Sequence, residues 1–201
     1  MKYIQGTIGL PLILSIYRSG NIKWCVDAIF AVHQDMRSHT GGFMTIGTVG
    51  DYVHSIKHNM NTNSSTEPKI SEVDGVLTQV VWNRYFLKEQ VYMIHNNGIY
   101  QDNQSLIRLE KNDTQSSSKM TSHINTRCYF ITDRIIKQET SVEFCPMFDM
   151  IGGYFTKALQ GSQFCRLRSI IIGIHEDDIP AYNASGRDLL EERKLKLKKD
   201  K

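Results

Sequence analysis

The stretch Gly98-Ile99-Tyr100-Gln101-Asp102-Asn103-Gln104-Ser105 constrains the fold more than any other. A short β-prone run ends at a carboxylate, and polar residues able to start a helix follow at once. A strand that ends this way delivers an acid to the edge of a sheet, where loops open and α/β proteins bind ligands. Ile22-Lys23-Trp24-Cys25-Val26-Asp27-Ala28 places a second acid, Asp27, inside another β-prone run. Two acids on two strands offer the carboxylate oxygens that a hard divalent cation such as Mg²⁺ requires. The same acids also suit ordinary strand-end positions, and their spacing alone does not separate the two readings.

Around these anchors the chain predicts a mixed α/β order. Met1 to Ser19 reads as a short helix or turn followed by an apolar strand. Ile22–Phe30, Gly41–Gly47 and Tyr52–Lys57 read as three strands with short connections, an antiparallel meander. Val73, Val76, Leu77, Val80 and Val81 recur at helical spacing, which predicts a long helix from about Ile70 to Gln90. A strand falls within Val91–Asp102, with Asn96-Asn97-Gly98 read as a turn interrupting it. Ser105–Glu110 predicts a short helix with Ile107 inward, and Ile124–Ile136 a longer one. Val142–Cys145 reads as the last strand, and Met150–Leu159 as a helix weakened by Gly152-Gly153. Phe164–Ile172 is an apolar helix or strand, and Asp188–Lys201 a solvated, frayed helix.

The 201 residues, 40% of them hydrophobic, suffice for one core. A net charge of +3 is compatible with nucleic acid without identifying it. The four cysteines, Cys25, Cys128, Cys145 and Cys165, are far apart, which argues against a zinc knuckle and for reduced thiols inside a cell, in cytoplasm or nucleus. Ile8–Tyr17 contains Pro11 and is too short to span a bilayer.

Several segments, in order, resemble the RNase H region of the Pol polyprotein of copia-type LTR retrotransposons. They are Lys2-Tyr3-Ile4-Gln5-Gly6-Thr7, Val26-Asp27-Ala28 through Arg37-Ser38-His39-Thr40-Gly41-Gly42-Phe43, and Ser64-Ser65-Thr66-Glu67. Further on come Tyr100-Gln101-Asp102-Asn103-Gln104-Ser105, Ser118-Lys119 to His123-Ile124 with Arg127, and Phe155-Thr156-Lys157-Ala158-Leu159. The resemblance implies an α/β, RNase H-like fold, a mixed five-stranded sheet with helices on both faces. It implies a remnant of the connection after reverse transcriptase at 1–20, the RNase H-like domain at 21–172 and a charged tail at 173–201. It also implies hydrolysis of RNA in RNA–DNA hybrids by two Mg²⁺ ions held by four acids. Asp27 and Asp102 match the first and third of these. Lys57, Arg108, Lys119, His123, Arg127 and Lys157 would contact the nucleic acid. Membrane association is not implied, and the parent's reverse transcriptase and integrase domains would be missing.

The chain departs from the pattern at the other two acids. Lys69 and Gly153 occupy their positions. Lys69 places a cation where an oxygen ligand is required, and Mg²⁺ tolerates poor coordination badly. The expectation is therefore an RNase H-like domain with lost or impaired activity and doubtful retention of Mg²⁺. Two alternatives stand beside it: an inactive module that still binds RNA–DNA hybrid, or an active hydrolase in which Glu72 or Asp149 substitutes. Each substitute lies about one helical turn from the position it would have to fill.

Overall fold

The computed structural model describes residues 7–14, 20–47, 49–58, 66–104, 107–108 and 122–174, with backbone alone at 66–72 and 122–127. Five strands form one sheet: β1 (Asn21–Ile29), β2 (His39–Thr45), β3 (Tyr52–Lys57), β4 (Asn96–Gln101) and β5 (Ser141–Phe144), in the order β3-β2-β1-β4-β5. β1, β2 and β3 pair antiparallel, whereas β4 pairs parallel with both β1 and β5. The helices are α1 (Thr66–Glu89), α2 (Ser122–Ile136) and α3 (Gly161–Ile171), with a 3-10 turn at Ile151–Tyr154.

Period-two alternation sorts the central strands onto two faces. Ile22, Trp24 and Val26 of β1, with Ile99 of β4, pack under Val73, Val76, Leu77 and Val80 of α1 and Ile131 of α2. The α1 residues recur as one apolar stripe at i, i+3, i+4 and i+7. On the opposite face Cys25 and Phe43 pack with Met150, Ile151, Phe155 and Ile171. Helical elements thus cover both faces, and the architecture is the α/β RNase H-like one that the sequence resemblance implies.

Several expectations need correction. Asn96-Asn97-Gly98 is the start of β4, not a turn. Asn97 is 1% exposed, and its side chain accepts from Trp24 Nε1 at 3.1 Å and donates to Val80 O at 3.1 Å and Glu139 O at 3.3 Å. A polar side chain with that many buried partners favours the extended strand over the turn its residue type suggests. Met150–Leu159 is no helix: only the 3-10 turn Ile151–Tyr154 forms, because Gly152 lets the backbone lie directly on β1. α1 begins four residues earlier than Ile70; Pro68 is accommodated in its first turn, where a missing N–H breaks no bond. Residues 10–14 form no strand, although Ile13 N–H donates to Ile172 O at 2.9 Å. Phe164–Ile172 resolves to the helix α3. Ile107 is buried as expected. The expected helix at Asp188–Lys201 lies outside the described residues.

Asn97 links β1, β4 and α1 through side-chain bonds. Asn97→Ala leaves the buried Trp24 N–H without its acceptor and is expected to lower unfolding stability by about 2–4 kcal/mol in urea denaturation. A loss below about 0.5 kcal/mol would show that these bonds do not hold the sheet to the helix.

Candidate functional site

Asp27 lies near the C-terminal end of β1, opposite Gly41 of β2. It shares a face with Cys25, below the 3-10 turn, and is 3% exposed. Two glycines allow the turn to come down so closely. A Cβ on Gly152 would sit 2.9 Å from Asp27 N and 3.1 Å from Cys25 O, and one on Gly41 would sit 2.6 Å from Gly152 O. Those contacts are too short for any side chain.

Gly153 is different. A Cβ there would lie 3.5 Å from Lys157 Nζ and 3.6 Å from Asp27 Oδ2, ordinary packing distances. Packing does not require glycine at 153, and a side chain placed there would point at Asp27. The sequence resemblance puts an acid at this position, where this chain has glycine.

The residues just after the turn engage Asp27 instead. Thr156 Oγ1 donates to Asp27 Oδ2 at 2.6 Å, and Lys157 Nζ stands 3.0 Å from the same oxygen. The Asp27 side chain is 2% exposed and that of Lys157 is 24% exposed. A buried carboxylate needs both a counter-charge and hydrogen bonds. Here one oxygen receives both, from two consecutive residues. Lys157, expected to reach nucleic acid, is turned inward onto Asp27.

Asp102 follows β4 and is half-buried. The parallel register pairs Cys25 with Tyr100, so continuing it by two residues brings Asp102 alongside Asp27. The strand-end reading of the sequence therefore places both acids at one sheet edge. Burial first, then Asp149 and Asp102, raise the pKa of Cys145 nearby. Burial raises that of Cys25 to about 12, so this thiol stays protonated.

Asp149 is drawn elsewhere. Its carboxylate pairs with Arg166 of α3 at 2.7 Å, and the same guanidinium donates to Phe148 O at 3.2 Å. Lys69 and Glu72 lie in the first turns of α1, where only backbone is described. Lys57 pairs with Asp35 at 2.7 Å on the exposed edge strand, and Arg108 is exposed. His123 and Arg127 lie on α2, where only backbone is described, and Lys119 lies outside the described residues.

These residues do not fit the divalent ions that the resemblance implies. Among the described residues, no group of three or more His, Cys, Asp and Glu is placed to hold a metal. Gly153 supplies no ligand, and an ammonium already stands on Asp27 Oδ2, 3.0 Å away. A hard cation brought there would meet like charge and too few oxygens.

Two features had no sequence signal. The turn after β1 carries His33, whose Nε2 lies 3.0 Å from His39 Nδ1. At the other end of β1, Ile22, Ile46, Phe86, Leu87, Tyr92 and Met93 help to line a 640 Å³ cavity. No helix among the described residues is long and apolar enough to cross a membrane.

Two solved structures are similar in fold. One is the RNase H1 isolated from compost by a metagenomic approach, at 10% identity over 75% of this chain and 92% of that one, with a TM-score of 0.47. The other is the N-terminal RNase H domain of a Mycobacterium tuberculosis protein, solved as a fusion with maltose-binding protein. It is 8% identical over 74% of this chain and 96% of that one, with a TM-score of 0.40. Both likenesses are distant, and the fold class rests on the strand order itself. No protein-family model and no curated protein matches the chain.

The Asp27–Lys157 pair makes a direct prediction. Lys157→Met strands a buried carboxylate and should cost about 3 kcal/mol of stability. Asp27→Asn combined with Lys157→Met keeps an acceptor for Thr156 and removes both charges, so the double variant should recover most of that loss. Strictly additive losses in urea denaturation would show that the two groups are not coupled.

Proposed function

We propose that the chain is a retrotransposon-derived RNase H-like domain of the copia Pol type whose hydrolytic activity has been lost. The observation that carries this reading is the state of Asp27, held by Thr156 at 2.6 Å and Lys157 at 3.0 Å, with glycine where another acid would face it. On this reading the RNase H-like domain spans 21–172. Its ancestral partner is an RNA–DNA hybrid, and the parent's reverse transcriptase and integrase lie elsewhere. Its place is inside the cell, in cytoplasm or nucleus.

No hydrolytic step follows from these residues. Cutting a phosphodiester requires an activated water and compensation for charge on the leaving oxygen. Asp27 is already neutralised from within the chain, and Lys69 and Gly153 bring no carboxylate. The reading in which Asp149 substitutes is disfavoured by the 2.7 Å pair that holds it to Arg166. The remaining chemistry of the edge is that of a folded scaffold with a closed ion pair.

The test is cleavage of a labelled RNA–DNA hybrid by the full chain in Mg²⁺ and in Mn²⁺, beside a variant carrying Lys69→Glu and Gly153→Asp. The native chain is expected to leave the hybrid uncut and the repaired variant to cut it. Metal-dependent cutting by the native chain, abolished by Asp102→Asn, would overturn the proposed loss. Silence of both would mean that the missing acids do not suffice to explain inactivity.

A further inference from the structure

The 640 Å³ cavity at the start of β1 opens among exposed apolar side chains. Val73, Val76, Leu77 and Val80 turn one stripe of α1 to the core. At about 3.6 residues per turn, Trp82, Tyr85 and Phe86 fall on the opposite side of that helix. They are 54%, 47% and 47% exposed. Trp82 and Phe86 stack, with ring centroids 5.0 Å apart and planes within 9°. Tyr85 is anchored through its hydroxyl, which donates to Glu139 Oε1 at 2.5 Å.

The end of α1 extends this surface. Tyr92 N–H donates to Leu87 O and Val91 N–H to Lys88 O, both at 3.0 Å, the paired bonds of a Schellman motif. The motif holds Val91 at a φ of +64°, where glycine is usual and a β-branched residue is strained. Val91 is also 88% exposed, and Tyr92 and Met93 after it are 58% and 74% exposed. The chain thus accepts backbone strain to hold an apolar side chain in water at the cavity mouth. Strain kept at such a place points to a contact made there.

The size of the patch selects its occupant. An aromatic side chain offers about 150–250 Å², so these six half- to fully exposed residues present on the order of 600 Å² to water. That is the upper end of what one patch on a monomer exposes. Two such patches laid face to face bury about 1,200 Å², which reaches the range of specific protein interfaces.

We propose that two copies of this chain pair through this face, with α1 antiparallel to α1 across a twofold axis at Phe86. That axis sets Trp82 of each copy, four residues before Phe86, beside Gln90 of the other, four residues after it. Gln90 lines the cavity together with Phe86 and Val91, so the indole of one copy closes the cavity of the other. The cavity is in the size range that encloses small molecules, which leaves room for that ring. The contact is made twice, as a self-complementary interface requires. Glu89, exposed on the same side of α1, lies within one residue's rise of the opposing indole and accepts its N–H. Arg84 and Lys88 fall on the flank of α1 and stay at the wet rim, where like charges are screened.

The test is sedimentation velocity of the full native chain from about 1 to 100 µM, with tryptophan emission read at each concentration, beside Phe86→Glu and Val91→Gly. The native chain should pass from monomer to dimer across that range. Its emission should shift to the blue as Trp82 leaves water, because Trp24 is already 0% exposed. Phe86→Glu sets two carboxylates against each other on the axis and should weaken pairing about a hundredfold, with its fold checked by circular dichroism. Val91→Gly relieves the strained φ, so it should raise the melting temperature of the monomer while weakening pairing several-fold. A purely structural role for Val91 would not split those two readouts. A chain that stays monomeric throughout, or a dimer that persists unchanged in folded Phe86→Glu, would overturn the proposal. So would quenching of Trp82 by a single-stranded oligonucleotide in a chain that stays monomeric, which would assign the rings to base stacking.

Discussion

A carboxylate buried at the edge of a sheet has to be neutralised by something, and the identity of that partner decides what the site can do. Asp27 is 3% exposed, lies between two strands and sits under a turn with no room for extra side chains at Gly41 and Gly152. Its charge is balanced inside the chain by Lys157, assisted by the Thr156 hydroxyl. Both partners follow the 3-10 turn that the glycines admit. The same close approach thus buries the acid and delivers its counter-charge.

This arrangement separates fold from chemistry. The sheet order, the parallel β1–β4 pairing and the helices on both faces depend on apolar alternation and on Asn97, and need no ion. Neither Lys69 nor Gly153 carries a carboxylate. A chain can lose its reactive edge while its scaffold persists, because different residues carry the two. The contrast between Gly152 and Gly153 illustrates the point. Sterics hold the first as glycine, whereas a Cβ at the second would meet Lys157 and Asp27 only at ordinary contact distances.

Much of the fold was legible because the strongest patterns were periodic. The Tyr52–Lys57 strand and the α1 stripe emerged directly, and Asp27 and Asp102 were assigned to two strands from their positions in β-prone runs; Asp27 lies in β1 and Asp102 directly follows its neighbour β4. The failures share a cause: residue type was weighed without its distant partners. Asn97 reads as a turn residue until Trp24, Val80 and Glu139 supply its hydrogen bonds. Met150–Leu159 reads as helical until β1 draws Gly152 onto itself. Lys157 reads as a surface cation until Asp27, 130 residues earlier in the chain, is brought to 3.0 Å. His33 stands in a polar loop with no spacing that announces His39 as its neighbour.

The most direct measurement of how Asp27 is neutralised is titration of the isotope-labelled native chain with Mn²⁺, followed by amide NMR. With Lys157 as the partner, excess Mn²⁺ should produce no selective broadening of the amides of Asp27, Gly152, Gly153 and Thr156. Saturable broadening confined to those amides and to Asp102, reversed by Mg²⁺, would contradict an internal counter-charge and place a divalent ion at the edge of the sheet.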